Sequence, residues 1–177
     1  MDVFSRTFLP AAAEAGVAIP IVSRHMPVLR RCVDPGDVTV LVTRCTRPDR
    51  PNQHGYLLLL TEHRLVVTQE TGLLRRLRLH LNAELRHLDN VTWNADPRLS
   101  AVELAATAVD GIRERFLIRT NRADQVWRLD ALLSRAFRTP VPGRAVRYAP
   151  GTATVPGTGP APTVDVRRRA LGAAIVT

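Results

Sequence analysis

The chain has 177 residues, 25 basic against 16 acidic side chains and 45% hydrophobic residues, a composition that excludes a wholly disordered polymer. Apart from His, every basic residue is Arg; a chain without a single Lys reflects coding bias in part, so the position of each Arg says more than the net charge of +9. No apolar run approaches the roughly 20 residues of a membrane-spanning helix, Asp2, Pro10 and Glu14 spoil an export signal, and two cysteines make no disulfide framework, so a cytoplasmic location is expected.

Residues 1–35 read as an N-terminal extension, partly helical or loose. Residues 11–18 suit a helix, residues 27–32 another turn or two with Ser23 near its start, and Asp34-Pro35-Gly36 makes a turn. This stretch is expected to pack loosely or to lean on the main domain.

From residue 36 to 139 the pattern changes. Val38, Val40 and Val42 alternate with Thr39, Leu41 and Thr43, the period of two that marks a half-buried strand. Residues 56–61 form a continuous apolar run, and only Glu62-His63-Arg64 separates them from the β-branched run at 65–68, so the two predict a hairpin. Leu77, Leu79 and Leu81 alternate with Arg76, Arg78 and His80, giving one apolar and one basic face. Val91 and Trp93 mark a fifth strand, and Val102, Leu104, Ala106 and Ala108 a sixth. Asp110-Gly111 predicts a type I′ turn, after which Ile112, Phe116 and Ile118 face inward against Arg113, Arg115 and Arg119.

One helix closes the series. Asn121 can cap it, Asp124 sits three residues on as in a capping box, and Asp124 and Arg128 stand four apart. Val126, Leu129, Leu133 and Phe137 recur at helical spacing, and Thr139-Pro140 stops the helix. Trp127 and Trp93 are expected in the core. Residues 140–177 then form a Pro-, Gly- and Ala-rich tail, with Arg167, Arg168 and Arg169 near its end.

The segment Gly55-Tyr-Leu-Leu-Leu-Leu-Thr-Glu-His-Arg-Leu-Val-Val67 resembles the second hairpin of bacterial pleckstrin-homology-like (PH-like and GRAM-like) domains. Asp34-Pro-Gly-Asp37 is similar to the family's lead-in, and residues 111–137 to its last strand and helix. The resemblance covers about residues 34–138. It implies a mainly β protein: a seven-stranded antiparallel, partly open barrel of two packed sheets, closed by one C-terminal helix. It also implies a binding module, because the fold hosts phosphoinositide, peptide and protein recognition and does not choose among them.

In lipid-binding members the headgroup sits in the loop after the first strand. Here that loop carries Arg44, Arg47, Arg50 and His54, and guanidinium groups bond phosphate in pairs. Asp49 sits inside the cluster, and a solvated basic loop is its plain alternative. A secondary basic surface consists of Arg76, Arg78, Arg113, Arg115 and Arg119; these also read simply as the wet faces of sheets. Arg167, Arg168 and Arg169 form a third cluster.

No catalytic constellation emerges: no serine occupies a nucleophile elbow, Gly157-Thr-Gly159 is followed by no helix, and the cysteines and histidines lack zinc spacing. No cofactor, metal or enzymatic activity is therefore expected. Two functions stay open: an adaptor for a protein partner, and a peripheral module for an anionic membrane surface. Nucleic acid ranks below both, since no aromatic residues interleave with the Arg residues to stack bases.

Overall fold

The computed structural model describes residues 2–50, 55–71 and 76–138. They belong to one unit, residues 1–146; the expected tail with Arg167, Arg168 and Arg169 lies outside the described residues, as does His54.

Two helices come first. Helix α1 spans Val3–Glu14, and Asp2 caps it by accepting a 2.6 Å hydrogen bond from the Ser5 N–H. That bond, with the Arg30 guanidinium alongside, holds the Asp2 carboxyl well below the usual carboxylate range. Helix α2 spans Ile19–Cys32 with Pro20 in its first turn, where a missing N–H costs nothing. Both begin earlier than the sequence suggested, because Pro10 and Pro27 lie within them rather than at their ends, and α1 stops at Glu14, so residues 15–18 of the expected first helix are not helical. An interior proline loses one hydrogen bond; tertiary packing offsets the loss. Phe4, Phe8 and Leu29 are fully buried, so loose packing is not what the structure shows.

Seven antiparallel strands come next: β1 (Thr39–Cys45), β2 (Tyr56–Thr61), β3 (Arg64–Thr71), β4 (Arg76–Glu84), β5 (Asp89–Asp96), β6 (Ala101–Thr107) and β7 (Arg113–Arg119), with helix α3 (Ala123–Arg138) last. The strands form a four-stranded sheet in the order β1-β2-β3-β4 and a three-stranded sheet in the order β5-β6-β7. One bridge joins the two sheets, Thr46 to Leu117, and the barrel is not otherwise closed among the described residues. This is the mainly β, two-sheet arrangement with a C-terminal helix that the hairpin resemblance implied.

Every residue of β2 is buried, because its two faces meet two different cores. Leu58 and Leu60 face inward with Leu104, Phe116, Ile118 and the helix residues Val126, Leu129 and Leu133. Leu57 and Leu59 face outward and pack with Val42 and Val66 under Phe4, Phe8 and Leu29.

Five local expectations need correction. The turn before β7 is not type I′, which needs positive φ at two residues; only Gly111 has one, at 78°. Its N–H bonds the Ala108 carbonyl (2.9 Å) and the Ala108 N–H bonds the Ile112 carbonyl (3.0 Å), a three-residue loop closed by a left-handed glycine. That loop leaves Ile112 55% exposed rather than inward. On β4 a bulge opposite Val67 and Thr68 reverses the alternation. Leu79 thus lies at the surface, while His80 turns inward between the rings of Tyr56 and Phe116. Trp127 is 59% exposed, one position round the helix from buried Val126. Trp93, by contrast, packs on the inner core and donates its indole N–H to Asp130 at 2.7 Å. Finally, Asp124 pairs with Arg122, and Arg128 reaches Glu14 of α1 instead of Asp124.

Candidate functional site

The bridge between Thr46 and Leu117 divides the molecule into a basic barrel end and a cleft. At the barrel end the chain leaves β1, and Arg47 folds back over the inner core. Its guanidinium bonds Asp49 at 3.0 Å, Glu114 at 3.2 Å and the His80 ring at 3.2 Å. Burial works against the Arg47 charge, but the Asp49 hydrogen bond and the Glu114 carboxylate outweigh it and raise the guanidinium further. The Asp49 carboxyl is lowered in turn, first by its hydrogen bond from Arg47. Arg47 is therefore a strut that joins β1 to β7 and β4.

This changes the expected anion cluster. Of its four members, Arg47 is engaged by two carboxylates and only 22% exposed, and His54 lies outside the described residues. Arg50 is exposed and stands 3.9 Å from Asp49. Arg44 is exposed on β1. Two guanidinium groups thus face solvent, with Asp49 beside one of them.

The secondary surface also divides. Arg113 is tied down by the Asn90 carbonyl and the Thr92 hydroxyl, both at 2.8 Å, and Arg115 bonds Glu103 at 2.7 Å. These two are cross-strand braces on the three-stranded sheet. Arg76 and Arg78 are exposed on β4, in the other sheet, and Arg119 is exposed at the end of β7. The five do not form one patch of free cations. Beside the barrel end, the β6–β7 loop presents two apolar side chains, Val109 (79% exposed) and Ile112.

The cleft opens on the other side of the bridge. There no ladder joins β1 to β7 among the described residues. The gap has a volume of about 210 Å³. Strand β1 supplies one wall and α3 supplies Gln125, Leu129 and Leu132. The end of α1 and Arg119-Thr120-Asn121 close its rim. The Arg128–Glu14 ion pair spans its mouth from α3 to α1. Leu129 and Leu132 give an apolar lining, and the rim is polar. Sequence periodicity could not show this cleft, since its walls come from the first and last helices.

A buried carboxylate, Asp37, gave no signal in the sequence either. It accepts the Thr61 hydroxyl at 2.5 Å, lies 2.9 Å from His63 Nδ1 and accepts the Val38 N–H at 3.0 Å. Asp, His and a hydroxyl together resemble a nucleophile with its base, but the order is wrong for chemistry. The hydroxyl donates to the carboxylate and accepts the His63 main-chain N–H at 3.3 Å, while the His63 ring contacts the carboxylate and not the hydroxyl. The cluster stitches the lead-in of β1 to the β2–β3 turn. Among the described residues no group of three His, Cys, Asp or Glu side chains could hold a metal ion, and no helix is long and apolar enough to cross a membrane. Buried Cys45 has its thiol pushed well up by desolvation, which disfavours the thiolate.

No family model matches the chain, and no curated protein matches it. Among solved structures, the complex of PDZ-RhoGEF DH/PH domains with GTP-γ-S-activated RhoA is similar at 15% identity and a TM-score of 0.45. The match covers 72% of this chain and 36% of that one, so the chain spans about a third of its length.

Proposed function

We propose that this chain is a non-catalytic PH-like binding module whose partner is a protein, held in the cleft between β1, α1 and α3. The observation that carries the reading is the lined groove beside β1, an end strand of its sheet that meets β7 at one bridge. Grooves beside a helix or a sheet edge are common peptide sites. The reading includes a cytoplasmic location. Its test is site-specific photo-crosslinking in the native cell, from a probe at Gln125 in the cleft and another at Arg98 away from it. A protein adduct from Gln125 and none from Arg98 is the expected result; equal labelling from both would overturn it.

A second reading rests on a separate observation, the exposed Val109 and Ile112 of the β6–β7 loop together with the exposed Arg44 and Arg50. Apolar side chains at a loop tip together with exposed cations suit an anionic membrane surface. Each Arg would add on the order of 1 kcal/mol near such a surface. Two solvent-facing Arg residues then support only weak partition, and Arg167, Arg168 and Arg169 would add to it. Sedimentation with phosphatidylserine vesicles at low and high salt tests this. Loss of pelleting on I112D or R50E supports it; binding unchanged by both would remove it.

A further inference from the structure

The polar groups around the cleft are mostly of one kind once their internal bonds are counted. The Glu14 carboxylate is taken by Arg128. The Gln125 side-chain oxygen accepts the Asn121 N–H at 3.3 Å, so its amide nitrogen keeps two N–H donors with no acceptor among the described residues. The Thr120 hydroxyl is bonded to the carbonyls of Ser100 (3.1 Å) and Arg122 (2.9 Å), and the Thr43 hydroxyl to that of Arg44 (3.3 Å). Arg119 differs. It lines the cleft, is exposed, and has no carboxylate among the described residues, whereas Arg115 on the same strand holds Glu103. A guanidinium donates five hydrogen bonds and accepts none. With Glu14 neutralising Arg128, the lining keeps one positive charge and a set of free donors; only the Asn121 side chain adds a free acceptor. An anion fits this rim, and a cation meets Arg119 and Arg128 and is repelled.

The floor and the volume set the rest of the ligand. Val40, Leu129 and Leu132 line the cleft, and Val40 and Leu132 are only partly buried, so a ligand can cover them. The space of about 210 Å³ is that of one residue. An apolar cavity of about 150 Å³ takes a single benzene, so a run of chain has no room. The negative charge and the apolar group must therefore sit on the same residue. In a protein that combination occurs at the last residue of a chain, where an α-carboxylate and a side chain share one Cα. An Asp or Glu side chain brings the charge with no separate apolar group, and a phosphate leaves the floor uncovered.

We propose that the cleft captures the carboxyl terminus of a partner protein that ends in an aliphatic residue, with the terminal carboxylate on Arg119 and the last side chain against Val40 and Leu132. A guanidinium and a carboxylate form a charge-assisted, two-point bond, which fixes the orientation of the chain end as well as holding it. Recognition of a chain terminus needs few contacts when they are already in place. Here Arg119 extends from the end of β7 and the apolar floor belongs to β1 and α3, elements built into the inner core. The preceding residues of the partner would leave the cleft past its polar rim, so its last residue carries the specificity.

This inference rests on the protein-binding reading of the cleft. Its test is an NMR titration of the full chain with the hexapeptide Gly-Ser-Gly-Ser-Gly-Leu as the free acid, as the amide, and with Gly in place of the final Leu. The free acid ending in Leu is expected to bind at least about tenfold tighter than either of the others, a difference of about 1.4 kcal/mol. Resonances of Arg119, Leu129 and Leu132 should shift. Arg119→Gln should bring the free acid down to the affinity of the amide and leave the amide unchanged, a pattern that loss of folding would not give. Arg98→Gln, away from the cleft, should change neither. Equal binding of acid and amide, no binding by either, or an intact preference for the acid in Arg119→Gln would overturn the inference. An amidated peptide with adjacent internal Leu and Glu that matched the free acid would make an acidic segment the occupant, and 4-methylpentanoate binding tighter than the peptide would make it a small acid; both results would also overturn it. The Gln125 probe leaves Arg119 and Leu132 in place. If that probe captures a protein while the peptides fail, the chain-end inference falls and the protein-binding reading stands; if the probe captures none, both fall.

Discussion

Both faces of the β1–β4 sheet are buried at β2, but they are covered differently. The inner face meets a second sheet and the apolar stripe of α3, elements that come after it in the chain. The outer face meets α1 and α2, which precede it. The inner cover is almost wholly apolar. The outer one includes His25, buried and 2.7 Å from the Thr68 hydroxyl, beside an Arg24–Glu70 ion pair. A half-exposed PH-like sheet would need only its inner cover. Here leucines on both faces of β2 make the N-terminal helices part of the core.

The largest expected effect comes from deleting residues 1–35. That uncovers Val42, Leu57, Leu59 and Val66, and burying such a side chain is worth roughly 1.5–3 kcal/mol. Four of them, with the helix residues that cover them, amount to most of the roughly 5–15 kcal/mol of a small domain. The shortened chain should lose its cooperative thermal transition. A transition within a few degrees of the full chain would reduce the outer layer to decoration.

Paired substitutions sharpen the comparison. Leu57→Ala and Leu58→Ala alter adjacent residues that point to opposite cores. Each should cost about 2–5 kcal/mol in chemical denaturation. A cost below roughly 0.5 kcal/mol for Leu57→Ala, the size of an ordinary surface change, would show that the outer face is not a true core.

Acid should separate the two faces. Burial lowers His25 below its ordinary 6.5; Arg24 adds to this, and Glu70 opposes it. The unfolded chain therefore binds the proton first as pH falls. His25 adds no slope well above pH 6.5, and stability declines below it as the unfolded state gains the proton. Melting temperature should fall on acidification below pH 6.5, and less steeply in His25→Gln. Equal slopes would remove His25 from the account.

The smallest effect is expected at Trp127. It lies outside both cores, so Trp127→Ala should change stability by about 0.5 kcal/mol or less, whereas Leu133→Ala should cost about 2–5 kcal/mol. Thermal melts of the two variants settle the orientation of α3; a large loss at Trp127 would mean the helix is rotated.

Much of this was legible before the fold. Alternation and apolar runs located all seven strands, and the recurrence of Val126, Leu129, Leu133 and Phe137 located α3 and its buried face. The misses share a cause. Pro10 and Pro27 hid the extent of α1 and α2, because propensity argues against an interior proline that packing tolerates. The bulge opposite Val67 and Thr68 turned His80 inward, and no residue pattern announces one extra residue. The basic loop was visible as Arg44, Arg47 and Arg50, but a linear cluster does not show which guanidinium is taken by a carboxylate from β7.

The sequence by itself determined which segments are strands and helix, because hydrophobic period is a local property that survives any arrangement of the pieces. It also placed every candidate cation. Tertiary structure decided which of these are free. Glu114 and Asp49 converge on Arg47, Glu103 on Arg115 and Glu14 on Arg128, while Arg119 is left at the cleft rim. It also decided that β1 and β7 meet at one bridge, Thr46 to Leu117, and form no ladder among the described residues. Charge pairing and strand pairing depend on residues distant in the chain, and no local pattern encodes which of them will meet.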